Sequence, residues 1–514
     1  MVTRLANLSS GRPVGRAVRA SIRFGLLALA TIAPPGGAAA EEGAARAPVE
    51  SDFYSIEKLE IPPRAFLEVG ALEWLPGDRI AVASRRGEIW FVDDPAGAAP
   101  KWTRFAHGLH EVLGLAWKDG WLYVTQRPEV SRLRDTDGDG EADELETVAD
   151  GWGVSGDYHE YAFGSKFDAD GNIWVVLCLT GSFSSEVPFR GWAVRVTPDG
   201  RTIPTTSGIR SPGGIGFGCD GSVLYTDNQG PWNGSCALKE LRPGEFVGHP
   251  GGFKWYDLAP EMGPRPEEPR SGSRWAEEMK RIPQYRPAAV VFPYDLMGKS
   301  AAGVVCDTSR GKFGPFAGQV FVTDQSHSFL MRCALERVDG ILQGACLPFR
   351  EGFGSGSLAV QFAPDGALYV GGTNRGWGSR GGGDYALERL VWTGEVPFEI
   401  LAMKAMPDGF ELRFTSPADK ATAADVTSYS ARGFTYIYQS AYGSPVVDEE
   451  PCEIVSATPS DDGTRVRLRM KNLREGVIHE VKCPGVRSAP SADVPAGQPL
   501  LHPTGWYTLN RLPK

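Results

Sequence analysis

The 514-residue sequence contains no Cys-x-x-Cys pair and no Cys-x-x-Cys-His run, which removes a thioredoxin-like redox site and a covalently attached haem. Gly-x-Ser-x-Gly and His-Glu-x-x-His are also missing, so neither a nucleophile elbow nor a zinc-peptidase helix supports a conventional hydrolase. Beyond the N-terminal region no stretch is long and apolar enough to span a bilayer. Helical amphipathic periodicity is scarce, with "SRWAEEMKRI" (273–282) as the one candidate. Basic side chains are in the minority, 53 against 63 acidic. Nucleic acid and anionic membrane surfaces select basic patches, so both are poor partners for this chain.

The N-terminus has the form of an export signal. Residues 1–40 hold Arg4, Arg12, Arg16, Arg19 and Arg23 and no acidic residue, and Arg23 is followed by "FGLLALATIA" and then "GGAAA". Basic, apolar and small-residue segments in that order predict secretion with cleavage near Ala40, to the periplasm or the extracellular space. Loss of those arginines leaves 48 basic against 63 acidic residues, a balance of −15. Eight cysteines in an exported chain permit disulfides. Proximity in sequence suggests Cys333–Cys346, Cys452–Cys483 and Cys219–Cys236.

Repetition then decides the architecture. An apolar strand, a tight turn usually spelled Asp-Gly and a second β-rich strand recur, as in "LGLAWKDGWLYVTQ", "GGIGFGCDGSVLYTD" and "LAVQFAPDGALYVGG". The turns lie near residues 78, 119, 170, 220, 318 and 365, mostly 41 to 51 residues apart, which suits a unit of four short strands. Six units predict an all-β chain with a six-bladed β-propeller over residues 50–394, "YSIEKLEIP" (54–62) closing the ring as an outer strand. The Pro/Gly/Glu-rich stretch 257–289 reads as an inter-blade insertion. From about 395 the period stops, and residues 395–514 read as a C-terminal immunoglobulin-like β-sandwich.

In a propeller, residues preceding each innermost strand converge on the mouth of a central channel. Counting back eight to eleven residues from the turns selects Glu111, His159 and Arg210, and in the fifth unit "MGKSAAGVV" presents Lys299. A glutamate, a histidine and two fixed cations around one opening suit an anionic cofactor or proton abstraction. Polar channels that hold only water are the plain alternative.

A second constellation is local. "DTDGDGEADELE" fits D-x-D-x-D-G-x5-E, with Asp135, Asp137, Asp139, Glu141, Asp143 and Glu146 at alternating loop positions and at the twelfth. Carboxylates so crowded repel unless a cation gathers them, and hard oxygen donors select calcium. The flanks read as strands, so a structural calcium clip is predicted rather than a helix–loop–helix sensor.

"IRSPGGIGFGCDGSVLYTDNQGP" (209–231), "GGFKWYD" (251–257) and "YHEYAFGSKFDADGNIWV" resemble the signature segments of the soluble quinoprotein glucose/sorbosone dehydrogenases. "WLYVTQRPEVSRLRDTDGDGEADELETV" and "LLHPTGWYTLNRLP" are similar to secreted bacterial propellers labelled membrane-bound dehydrogenases. The resemblance covers roughly residues 50–514. It implies a six-bladed propeller that uses pyrroloquinoline quinone (PQQ) and calcium to oxidise a sugar or alcohol, with a separate cytochrome or other protein as electron acceptor. His159 would be the base, Arg210 and Lys299 would contact the quinone, and the turn containing Gly230 and Pro231 would hold calcium through carbonyls. Tyr158 and Ser211 replace an aspartate and an asparagine of that family's pattern, and "GFGSGS" (352–357) replaces its blade-six arginines. Two further readings follow from the same residues: a non-catalytic calcium-stabilised propeller binding glycans or proteins, and a calcium-dependent lactonase or esterase.

Overall fold

Each predicted turn joins the first two strands of a sheet. Asp78 and Asp119 take left-handed backbone (φ 54° and 52°), a conformation that aspartate tolerates, while Gly171, Gly221 and Gly366 supply it without a side chain. In the computed structural model, which describes residues 46–492 and 494–514, these hairpins are the cores of six successive antiparallel sheets. The predicted export signal lies outside the described residues. Their first strands are Val69–Leu75, Gly114–Lys118, Ala162–Phe167, Pro212–Phe217, Ala301–Cys306 and Ser357–Phe362, and define sheets 1 to 6. Residues Ala47–Lys514 form one compact unit that is nearly all β.

The first strands pack side by side, each touching those of the preceding and following sheets, with sheet 6 touching sheet 1. Glycine makes this approach possible. A Cβ added at Gly70 would lie 2.1 Å from the Val112 carbonyl oxygen, and one at Gly213 would lie 2.1 Å from that of Ala301. In five of the six sheets the first strand pairs with the second through a shift of register, a bulge that bends the strand where it meets its neighbours. Tyr54–Lys58 pairs with Tyr385–Trp392 and completes sheet 6 from the N-terminal side, as the sequence predicts.

Apolar layers between adjacent sheets hold the assembly. Phe313, Phe321, Phe349 and Phe362 interlock between sheets 5 and 6, with ring centroids 4.9–6.0 Å apart in tilted and edge-on pairs. The segment expected between two sheets instead interrupts sheet 4, between Ala237–Leu241 and Val290–Val291. It contains the predicted helix as Trp275–Arg281, and Trp275 is buried.

The C-terminal residues do not stand apart. Thr504–Leu509 pairs with Ile341–Glu351, the last strand of sheet 5, so Val477–Lys482, Ser430–Tyr436 and Val446–Pro451 continue that sheet to eight strands. A seventh sheet of Ile400–Met406, Gly409–Phe414, Arg465–Met470 and Ile454–Pro459 packs on it around Phe410, Leu468 and Tyr507. His502 lies between Glu50 and Glu399, with nitrogen–oxygen distances of 2.9 and 2.7 Å. Burial depresses its pKa, but the two carboxylates overcome this and hold it up at about 9, so the imidazolium clips N-terminus, linker and C-terminus together.

The cysteine pairing differs from the proximity reading. Cys219 bonds to Cys306 rather than to Cys236, joining the first hairpin of sheet 4 to the first strand of sheet 5. Cys333 and Cys346 face each other across a strand pair but are free thiols, as are Cys236, Cys452 and Cys483, all buried. Nearness in sequence misled because neighbouring sheets approach more closely than strands within the hairpins suggest.

Candidate functional site

His159, Arg210 and Lys299, from the approaches to sheets 3, 4 and 5, line one cavity of about 370 Å³ at the end of the ring where the first strands begin. These three residues lie up to 140 positions apart in the sequence. Buried carboxylates place two of them. Asp227, at the end of the second strand of sheet 4, accepts the backbone N–H groups of Arg210 (3.3 Å) and Ser211 (2.8 Å) and pairs with Lys239. Asp324, at the same point of sheet 5, accepts those of Lys299 and Ser300, each at 2.8 Å. Each carboxylate replaces strand pairing where the backbone turns into the mouth.

The His159 loop is held differently. Asp157 accepts from the backbone N–H of His159 (2.8 Å) and of Gly181 (3.0 Å). The half-buried imidazole packs against Tyr158, with ring centroids 3.9 Å apart and tilted by 41°, and stands 6.2 Å from Trp377. Burial disfavours its charged form; Asp157 opposes this, Arg210 and Arg127 reinforce it, and the pKa lies below the ordinary histidine value. The ring is therefore neutral at pH 7 and able to accept a proton.

Arg210 is buried, and its guanidinium donates to the carbonyl oxygens of Gln229 (2.5 Å) and Asn228 (3.3 Å). Its Nε has no partner, and no carboxylate pairs with its side chain. Gly230 has no room for a side chain, since a Cβ would lie 2.0 Å from the guanidinium carbon. The Gly230 carbonyl accepts from the Gly443 N–H at 3.1 Å, and Pro231 bridges to Tyr442. The turn expected to hold calcium through Gly230 and Pro231 thus already carries a guanidinium and a backbone partner. Lys299 sits at the rim, paired with Asp295 at 2.9 Å, which raises its pKa.

Glu111 does not face the cavity. It has left-handed backbone (φ 52°) and is buried between Arg85 (2.6 Å) and Arg127. Burial raises its pKa, and the two guanidinium groups more than reverse this. Arg127 also donates to the carbonyls of Asp157 (2.7 Å) and Tyr158 (2.9 Å), so Glu111 positions the His159 loop through Arg127. Arg85 reaches the cavity itself.

Arg85, Arg127 and Gln325 escape the counting argument because they follow the second strand of a sheet rather than precede the first. A signal for them is readable: a hydroxyl residue and then polar residues end the second strand in five of the six sheets, as "SRR", "TQR", "TDNQ", "TDQS" and "TNR".

In the acidic loop, Asp135, Asp137 and Asp143 bring carboxylate oxygens within 4.8 Å of one another. Asp135 accepts from Gly138 N–H (2.7 Å) and Gly140 N–H (2.9 Å), which hold its pKa down. Asp139 accepts from the Glu141 N–H, and Glu146 pairs with Arg132 at 2.5 Å on the adjacent strand. The predicted set of six therefore contracts to three. Asp139 and Glu141 lie outside the group, and the strand beginning at Glu144 turns Glu146 toward Arg132. The loop rests on the outer strand of sheet 1, where the Ala142 N–H donates to the Phe105 carbonyl at 2.7 Å.

Among solved structures, similar chains include an oxidoreductase assigned as a glucose dehydrogenase from Thermus thermophilus, with 21% identity over 66% of this chain and 100% of that one, TM-score 0.47. The PQQ-bound aldose sugar dehydrogenase of Streptomyces coelicolor is 16% identical over 68% of this chain and 100% of its own, TM-score 0.46. A carbohydrate-active enzyme of family AA12 from Trichoderma reesei is 12% identical over 67% and 97%, TM-score 0.46. None of these figures bears on the chemistry of the cavity. No curated protein matches the sequence. Residues 83–338 match a family model described as a domain of unknown function, DUF7133.

Proposed function

We propose that the six sheets are the blades of a six-bladed propeller, followed by an immunoglobulin-like sandwich over residues 395–514, and that the mouth cavity is the active site of an exported oxidoreductase acting on a sugar or alcohol. One observation carries the reading: a neutral imidazole, His159, shares one cavity with the guanidinium of Arg210 and the ammonium of Lys299. Glu111 lies between Arg85 and Arg127, Asp227 pairs with Lys239 and Asp295 with Lys299, while the guanidinium of Arg210 donates to the carbonyls of Asn228 and Gln229.

The guanidinium of Arg210 and the ammonium of Lys299 on one cavity suit a planar polyanion such as PQQ. Sheet 6 contributes an aromatic residue here, Trp377, and Arg85 from sheet 1 stands in for the missing cations of the "GFGSGS" segment. When bound, such a cofactor supplies the hydride acceptor. Arg210 and Arg85 would hold its carboxylates, and Lys299 would reach it from the rim after leaving Asp295. His159 accepts the substrate hydroxyl proton on a ring nitrogen, and Asp157 fixes the loop that aims it. A separate cytochrome or other protein would take the electrons onward. The test is dye reduction by protein supplied with PQQ and calcium across a panel of sugars and alcohols; reduction by none of them overturns the reading.

Calcium is assigned to Asp135, Asp137 and Asp143 as a clip between sheets 1 and 2. Saturating calcium, at 100 times its Kd, should stabilise the protein by about 2.7 kcal/mol in thermal unfolding. The shift should vanish with chelator and in Asp137→Asn.

A further inference from the structure

Large aromatic side chains are exposed at the mouth. Tyr158, Phe183, Trp377 and Tyr442 are each 54–60% exposed, and Tyr294 is 37% exposed. Phe183, Tyr294, Trp377 and Tyr442 line the cavity, and Tyr158 packs against His159. They come from five separate loops. The rings do not pack into a core: Phe183 and Tyr442 are 6.2 Å apart with an interplanar angle of 44°. Exposed rings gathered around one opening mark a binding surface.

Tyr442 belongs to the C-terminal region, and its loop is built into the mouth. Gly443 N–H donates to Gly230 (3.1 Å), Trp232 N–H donates to Gln439 (2.6 Å), and Gln439 closes the loop on Gly443 (3.0 Å). The Arg210 guanidinium lies 5.2 Å from the Tyr442 ring centre and 5.9 Å from that of Phe183. The appended strands therefore supply part of the site wall.

We propose that this collar binds the sugar units flanking the reacting one, so that the substrate is a neutral oligo- or polysaccharide rather than a free monosaccharide. The proposal rests on the dehydrogenase reading for which unit reacts, but not for binding itself. Two features select the occupant. Around Arg210 the lining between the rings is rich in hydroxyl and amide groups, including Ser182, Ser211, Gln229, Ser300 and Ser326. A lipid or apolar peptide would meet these as unpaired polar groups, whereas a pyranose presents an apolar C–H face to a ring and hydroxyls to serine and glutamine. In addition, about 370 Å³ is at the small end of small-molecule sites (roughly 300–1,000 Å³). With a cofactor inside, little more than one sugar unit fits, and the remainder of a chain must lie across the rim.

The test is calorimetry of the folded protein, without cofactor, with neutral hexasaccharides of gluco-, xylo-, manno- and N-acetylglucosamine type and with the corresponding monosaccharides. At least one hexasaccharide should bind tenfold or more tightly than its monomer, and Tyr442→Ala and Trp377→Ala should each weaken it about tenfold. Both side chains are exposed, and unchanged thermal unfolding would verify folding; Phe183→Ala is the independent third variant. Equal affinity for hexamer and monomer, insensitivity to all three variants, or a rim that serves only self-association dispersed by Tyr442→Ala would each overturn the proposal. Glycan binding without PQQ binding would leave the collar and remove the dehydrogenase. PQQ binding without hexamer preference would do the reverse.

Discussion

The mouth cavity and the channel behind it share a wall, yet they are chemically opposite. The channel, about 250 Å³, is lined by glycines such as Gly70, Gly114, Gly164 and Gly303. Its one charged lining residue, Lys166, is spent on Glu73 and on the Leu115 carbonyl at 3.0 Å. Leu113, Phe163, Gly213 and Leu358 line both spaces and divide them. Where the first strands approach most closely, Gly70, Gly114 and Gly213 leave no room for a Cβ, so sequence there encodes packing. A few residues upstream the backbone is free of that demand, and histidine, arginine and lysine occur. Chemistry collects where packing releases the side chain.

Substitutions should separate the two ends. The largest effect belongs to the mouth: His159→Ala should cut turnover by about 10²–10⁴-fold with unfolding unchanged. Because the His159 pKa is lowered, the neutral base persists further into the acid range than an ordinary histidine would. Activity should fall as pH drops through the lowered pKa, about tenfold per unit beyond it. A rate that instead rises on acidification would contradict a neutral base.

Glu111→Ala lies beneath the mouth and should break the distinction, since it leaves two buried guanidinium groups unpaired. Urea unfolding should register a loss of about 3–5 kcal/mol, together with a fall in turnover as the His159 loop loosens. In the channel, Gly70→Ala should cost about 1–3 kcal/mol while ligand affinity at the mouth is retained in the folded fraction. Smallest is Lys299→Gln, whose exposed pair with Asp295 adds little to stability; unfolding should not move, while affinity for an anionic ligand should fall several-fold.

The same division explains what was legible in the sequence. Asp78, Asp119 and Gly221 mark hairpins by local turn chemistry, and each hairpin is where the spacing predicts it. His159 and Arg210 could be read because their distance from a turn is set by strand length, and Lys299 because it stands just before the first strand of sheet 5. Tyr442 and Trp377 could not, as their position depends on long-range pairing of the C-terminal strands with sheet 5 and on the loop after the second strand of sheet 6. Glu111 was placed at the right loop and given the wrong neighbour, because a carboxylate's partner is decided by which arginine the next sheet brings. The Cys219–Cys306 bond was hidden for the same reason, joining two sheets rather than one hairpin.

The central claim is that the mouth binds a planar polyanion through Arg210. Titration of calcium-loaded protein with PQQ, followed by the quinone absorbance, tests it directly in wild type and Arg210→Ala. Saturable binding that Arg210→Ala weakens tenfold or more is the predicted result. Absence of binding in the wild type, or binding indifferent to Arg210, would contradict it.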